Sequence, residues 1–118
     1  MDRIGVSKLL AIITRDGGKN RCHALITKER RQFGIVDMQG RVAGFNGEGN
    51  SQASLYVSGQ VGDDIFFQVQ GNILFSDNVA YNAAVAFTRA KGTLADRVMA
   101  AMEGADEVGG DKRCTCEE

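Results

Sequence analysis

From residue 31 onward, apolar and polar positions alternate in short runs that predict a sheet. In RQFGIVDMQGRVAGFNG, residues 31–47, Phe33 and Ile35 lie on one side of a strand, and a Gln-Gly turn then reverses the chain, which predicts a β-hairpin. SLYVSGQV, residues 54–61, alternates as a third strand, and a Gly-Asp-Asp turn leads into the apolar run IFFQVQGNIL, residues 65–74. We therefore expect about four antiparallel strands.

A helical periodicity follows the last of these strands. Apolar residues recur there at intervals of three and four, which is the spacing of one buried helix face. They are Val79, Ala80, Ala83, Ala84 and Phe87. We expect Ser76 or Asp77 to cap this helix and Gly92 to end it.

A second helix is predicted directly afterwards. Thr93 and Asp96 have the spacing of a capping box at its start, and Gly104 is expected to end it. The positions expected to face inward are Leu94, Val98, Ala101 and Met102. Strands followed by helices predict an α+β fold, with an antiparallel sheet covered on one face by two C-terminal helices.

The N-terminal segment admits two interpretations. Four of its apolar residues have helical spacing, and a helix is the interpretation we favour. They are Val6, Leu9, Leu10 and Ile13. The competing interpretation is a hairpin strand, because β-branched residues stand here just ahead of an Asp-Gly pair. Residues 19–30 are ambiguous, with at most one turn of helix.

Composition and charge are those of an ordinary globular domain. The chain has 118 residues, 14 basic and 15 acidic side chains and a net charge of −1, so we predict no nucleic-acid partner. No apolar run is long enough to span a membrane, and LLAII is too short for the core of a signal peptide. We treat residues 1–118 as a single domain, with a divergent segment (1–30), a sheet-and-helix region (31–104) and a polar tail (105–118).

Three amides interrupt the otherwise apolar last strand. Gln68, Gln70 and Asn72 are spaced by two residues, so they point to one face of the strand. That face is either in contact with water, or the amides are structural and bond to neighbouring backbone. In a third interpretation they line a polar cleft, where Gly71 lets a ligand or another backbone approach closely.

Three strings of the sequence resemble one family of proteins. They are RQFGIVD at 31–37, QGN at 70–72 and GDKR at 110–113, in that order. Over roughly residues 31–114 the chain resembles the C-terminal half of the domain of unknown function 1028 family. That resemblance implies an N-terminal-nucleophile-hydrolase-like fold with four αββα layers, of which this chain would hold a part.

The fold implied by the resemblance belongs to enzymes that use a nucleophile at the processed N-terminus. The nucleophile is a Ser, Thr or Cys whose free amine serves as the base. Removal of Met1 would expose Asp2, which cannot do this, and Ser7 would need an internal cut. We therefore favour a non-enzymatic, self-associating or ligand-binding protein. The alternative is an amidohydrolase-like enzyme whose nucleophile lies outside this chain or is supplied by a partner.

Polar residues within and beside the three strings are the ligand-binding candidates. They are Arg31, Gln32, Asp37, Gln70, Gly71, Asn72 and Asp111. Arg31 would act as an anion clamp, but Asp37 is also placed to pair with Arg31 or Arg41 across the hairpin, and Asp111 with Arg113. No catalytic residue is assigned and no cofactor is predicted.

The three cysteines raise the question of zinc. Cys22, Cys114 and Cys116, with His23, are suitable ligand types, but an adjacent Cys-His pair and a Cys-x-Cys pair lack the usual spacing, so we predict no metal site. In an oxidising compartment we expect a disulfide from Cys22 to Cys114 or Cys116.

A partial fold predicts an exposed sheet, and therefore a homo-oligomer or a second chain that completes the fold. The residues expected between layers or chains are Phe33, Ile35, Phe67 and Val69. The alternative is that residues 1–30 fold back as strands and complete a small monomer.

Overall fold

The computed structural model describes residues 8–13, 30–50 and 53–113. In these residues the chain forms five strands and then two helices. They are β1 (Lys8–Ile13), β2 (Gln32–Val36), β3 (Val42–Asn46), β4 (Leu55–Val61), β5 (Ile65–Gly71), α1 (Asn78–Arg89) and α2 (Leu94–Asp106). The predicted α+β fold class is confirmed. Among the described residues, neither helix is long and apolar enough to cross a membrane.

The strands form two separate sheets. One sheet has the order β1-β5-β4, and the other is the β2–β3 hairpin. The hairpin predicted over residues 31–47 is confirmed, with Phe33 opposite Phe45 and Gly34 opposite Gly44. Strands β4 and β5 form a second antiparallel pair, in which Gly59 lies opposite Phe67.

The favoured N-terminal helix is wrong over the described part, Lys8–Ile13. This segment is strand β1 and runs parallel to β5, with Ile13 opposite Gln70. The described residues therefore contain one strand more than the four antiparallel strands expected, and this additional strand is parallel to its neighbour. The physical reason is that a continuous apolar run with a β-branched end suits a strand in a parallel pair better than four spaced positions suit a short helix. The competing hairpin interpretation is right that this segment is a strand, but the partner of β1 among the described residues is β5, and the Asp-Gly pair lies outside them.

The helices cover one face of the three-stranded sheet and bury the main hydrophobic core. Phe67 and Val69 of β5 are buried there against the predicted stripe of α1. The rings of Phe67 and Phe87 lie 4.6 Å apart between centroids. Small alanines on the same stripe let α1 lie close to the sheet, so the core depends on a few large side chains among many small ones.

The hairpin sheet covers the opposite face of β5. The backbone of Gly40 lies against the Phe66 ring, and Gly34 and Gly44 lie against the Gln68 side chain. The described residues therefore form three layers, with helices on a sheet and that sheet on a second sheet. The hairpin sheet is the outer layer on the side away from the helices.

The ends of both helices differ from the predicted ones, whereas α1 starts after one of its two predicted N-cap residues. Asp77 is the N-cap of α1 but makes no side-chain capping bond, and the helix ends at Arg89, before Gly92. Gly104 does not end α2, which continues to Asp106. A Cβ on Gly104 would stand 2.8 Å from the Cβ of Ala86, so this glycine lets the two helices touch. Met102, expected to face inward, is exposed.

The predicted capping box at the start of α2 is confirmed. The Thr93 hydroxyl accepts a hydrogen bond from the Asp96 amide at 3.2 Å, and the Asp96 carboxylate accepts one from the Thr93 amide at 2.7 Å. The hydrogen bond from the Thr93 hydroxyl, and next that from its amide, lower the pKa of Asp96 below its ordinary value of 3.8. The box therefore needs the ionised carboxylate.

This ionisation predicts a pH-dependent loss of stability. A carboxylate whose pKa is lower in the folded state stabilises the fold above its unfolded pKa and ceases to do so as pH falls through the folded pKa. Asp96→Asn should therefore be less stable than the parent protein near pH 7, and the difference should close below about pH 4. Urea unfolding from pH 7 to pH 3 would measure this, with Asp63→Asn in an exposed turn as the control. A difference that stays constant with pH would contradict the prediction.

Candidate functional site

The row of amides on β5 is packed between the two sheets. Gln68, Gln70 and Asn72 are all buried, which excludes the interpretation of this face as a wet one. A Cβ on Gly34 would stand 2.7 Å from Oε1 of Gln70 and 2.8 Å from Cδ of Gln68. The glycine backbones of the hairpin thus lie directly on the amides, and the space between the sheets is filled by this chain.

Gln68 is the most buried polar residue of the row. Its side chain is 1% exposed, and its Nε2 donates to Oε1 of Gln70 at 3.4 Å. Its Oε1 accepts no hydrogen bond from any residue that the structure describes. A buried acceptor without a partner costs about 1–3 kcal/mol, so Gln68 contributes less to stability than its burial suggests.

Asn72 belongs to a small polar network that sequence reasoning missed. Its Oδ1 accepts from the Ser54 hydroxyl and its Nδ2 donates to Oδ1 of Asn50 at 3.3 Å. Asn50 in turn donates to Oδ1 of Asn46 at 2.8 Å. The sequence shows a loop rich in Asn, Ser and Gly after the hairpin, but it does not show that this loop contacts Asn72. That contact depends on how the two sheets stack.

Two residues beside this network have left-handed backbone. Ala53 has a φ of 55° and Ile73 a φ of 60°, and the Leu74 amide donates to the Ala53 carbonyl at 3.3 Å. A β-branched residue is seldom found there, and such a conformation costs on the order of 1–3 kcal/mol. The contacts on either side of Ile73 therefore hold the backbone of this residue in a strained conformation.

Gln32 joins the two sheets. Its Nε2 donates to the Gly71 carbonyl at 2.8 Å and to the Leu55 carbonyl at 3.2 Å. These carbonyls lie at the end of β5 and the start of β4, so one side chain of the hairpin sheet holds both strands. This contact gives Gln32 a structural role, whatever else it binds.

Arg31 and Asp37 lie at opposite ends of β2, and the structure does not bring them together. Asp37 forms an ion pair with Arg41, one of its two predicted partners. The backbone amide of Arg41 is the main cause of the lowered pKa of Asp37. The Arg31 carbonyl accepts from the Gly47 amide at 2.9 Å and from Nδ2 of Asn50 at 3.2 Å, which anchors the loop after the hairpin.

Asp111 lies beside the end of β5. Its Oδ1 accepts from Nε of Arg113 at 2.9 Å and from the Arg113 amide at 2.8 Å, so the expected pairing of these two residues is confirmed. The hydrogen bond from the Arg113 side chain lowers the pKa of Asp111. Residue 111 also forms an isolated antiparallel bridge with Leu74.

A cavity of about 240 Å³ lies between the end of β5 and the two helices. Four of the predicted ligand-binding residues border it: Gln70, Gly71, Asn72 and Asp111. Arg31, Gln32 and Asp37 do not line it. Because the amides of Gln70 and Asn72 make their contacts on the other side of β5, the polar side chains at this cavity are those of Asp106 and Asp111.

The far face of the hairpin sheet is apolar and exposed. Strand alternation places four residues there, Phe33, Ile35, Ala43 and Phe45, which we call the outer patch. Phe33 is 45% exposed and Ile35 is 55% exposed. The rings of Phe33 and Phe45 stack, with centroids 5.5 Å apart. Of the residues expected between layers or chains, Phe67 and Val69 are thus buried within the chain, while Phe33 and Ile35 stay about half exposed on its surface.

Several predictions concern residues outside the described ranges. Cys22, Cys114 and Cys116, with His23, fall there, so the disulfide stays a prediction. Asp2 and Ser7, which were weighed as N-terminal nucleophiles, lie outside the described ranges as well. Within the part of the chain that the structure describes, no group of three or more His, Cys, Asp or Glu side chains is placed to hold a metal ion.

Comparison with known proteins relates the chain to a family. The model of a family of unknown function (DUF1028) matches residues 19–116, which extends beyond the strings that carried the resemblance. No curated protein and no solved structure matches the chain.

Proposed function

Since the chain belongs to the DUF1028 family, whose function is unknown, we propose its function from its surfaces: it is a non-enzymatic protein that self-associates through the outer patch. The observation that carries this proposal is the exposed pair of large apolar side chains, Phe33 and Ile35, at the centre of a sheet face. Contiguous exposed apolar residues of this kind mark interaction surfaces in soluble proteins.

The composition of the outer patch favours a second copy of the same chain as its partner. Phe33 and Ile35 point outward along β2, with Arg31 just before the strand and Asp37 just after it. Asp37 forms an ion pair with Arg41, so the polar groups at that end of the strand are balanced within the chain. In a two-fold dimer with the two hairpins antiparallel, the apolar face of one copy would lie on the same face of the other, with polar groups around its edge.

The layer order supports an N-terminal-nucleophile-hydrolase-like scaffold as the setting for this association. That architecture has four αββα layers, and the described residues supply helices, a sheet and a second sheet in the same order. The outer patch lies where the fourth layer would pack. A second copy would cover the apolar face in place of helices.

Ile35→Glu is expected to weaken self-association. Burial of an isoleucine side chain is worth about 1.5–3 kcal/mol, so its loss should raise the dissociation constant about ten- to a hundredfold. Light scattering and sedimentation over a dilution series would measure it. The parent chain should exceed its monomer mass of 12.7 kDa at micromolar concentration, and the variant should approach that mass.

Met99→Glu is the matched control for this experiment. Met99 is 59% exposed, close to the value for Ile35, but lies on α2 on the opposite side of the layers. The control should associate like the parent chain. A parent chain that stays monomeric at high micromolar concentration would refute the proposal, and so would equal effects of the two variants.

A further inference from the structure

The cavity between β5 and the helices has the size and lining of a small-molecule site. Its walls are mainly the short or aliphatic side chains of Val69, Leu74, Val79, Ala80 and Ala83. Its volume of about 240 Å³ exceeds the roughly 150 Å³ of an engineered apolar cavity that binds benzene. The alanines on α1 and Ala101 on α2 leave this space, since larger residues at those positions would fill it.

The rim of the cavity is negative. Asp106 and Asp111 both line it, and the charge of Asp111 is balanced by its ion pair with Arg113. Asp106 is the last residue of α2, whose last turn contains no basic residue, and Glu107 follows it as the C-cap. The helix dipole adds partial negative charge at this end, so a cation is favoured beside Asp106.

We propose that this cavity binds a small apolar molecule that carries one ammonium group, with the apolar body against α1 and β5 and the ammonium group at Asp106. An aromatic or branched aliphatic amine has this chemistry. This site is separate from the outer patch, because the three-stranded sheet lies between them. Its occupancy therefore does not depend on self-association.

The test is a titration of the ¹⁵N-labelled chain with benzylamine, with benzyl alcohol as the neutral ligand of nearly equal shape. Benzylamine should cause saturable shifts of the backbone amides around the cavity, such as those of Gly71, Leu74 and Ala101. It should bind about two- to fivefold more tightly than benzyl alcohol, because the carboxylate and the helix end act on the charged form only.

Three variants separate the two parts of the proposal. Asp106→Asn, at an exposed position, should remove the preference for the amine and keep the binding of benzyl alcohol. Ala105→Leu, at the partly exposed mouth, should weaken both ligands, while Met99→Ala on the same helix should affect neither. Shifts that fail to saturate would overturn the proposal. Unchanged binding by Ala105→Leu would do so as well, and equal binding of both ligands by the parent chain would overturn the amine class.

Discussion

Phe87→Ala should remove a large part of the free energy of unfolding. The Phe87 ring is fully buried and meets the Phe67 ring at the centre of the contact between α1 and the three-stranded sheet. Phenylalanine-to-alanine changes in cores cost about 3–5 kcal/mol, since apolar burial is lost and a cavity is left behind. A small domain has only about 5–15 kcal/mol of stability, and the neighbouring alanines cannot move in to fill the space.

Urea unfolding followed by circular dichroism would measure this loss. Phe75→Ala is the matched control, because the same ring atoms are removed from a residue that is 65% exposed, and a change of about 0.5 kcal/mol is expected there. If the two variants lost similar free energies, the packing of α1 on β5 through Phe87 would have to be rejected.

Gly44→Ala should destabilise the contact between the two sheets by about 1–3 kcal/mol, which is typical of overpacking. A Cβ at this position would overlap the Gln68 amide and stand 2.8 Å from the ring of Tyr56. The Tyr56 ring is 45% exposed and can shift, but Gln68 is buried and cannot swing away cheaply, so the overlap with the Gln68 amide sets the cost. The sheets would have to separate locally to admit one methyl group.

A double-mutant cycle with Gln68→Ala tests the cause of this effect. Shortening Gln68 removes part of the overlap, so the double variant should be more stable than the sum of the single changes predicts, by about 0.5–3 kcal/mol. Val42→Ile adds volume to the same strand at a position that is 39% exposed and outside the outer patch, and should change stability by less than about 0.5 kcal/mol. Strict additivity of Gly44→Ala and Gln68→Ala would show that the overlap does not limit the sheet spacing.

Local patterns predicted the elements whose partners are near in sequence. The β2–β3 hairpin, the β4–β5 pair and the capping box at Thr93 each depend on residues that are at most 16 positions apart in the sequence. The prediction that Gly104 ends α2 is wrong because this glycine makes a contact that is distant in sequence. A glycine near a helix end usually stops the helix, but here it faces Ala86 of the other helix, and that contact is invisible in a local window.

The candidate site was predictable in its residues but not in its arrangement. Gln70, Gly71, Asn72 and Asp111 were singled out, and all four border one cavity. The sequence could not show that the amides point to the other sheet, because the side of β5 that the helices cover is set by long-range packing. Asp106 was not among the predicted ligand-binding residues, because a single acidic residue near a helix end forms no recognisable sequence motif.

The parallel pairing of β1 with β5 has a consequence for the order of events during synthesis. β1 leaves the ribosome first, but the strand that it pairs with begins about 50 residues later, after both strands of the hairpin and β4. At about 5–20 residues per second, LLAII waits roughly 3–10 seconds before any of β5 exists. During that interval LLAII has no strand to pair with, so chaperones that bind apolar segments of nascent chains can bind it.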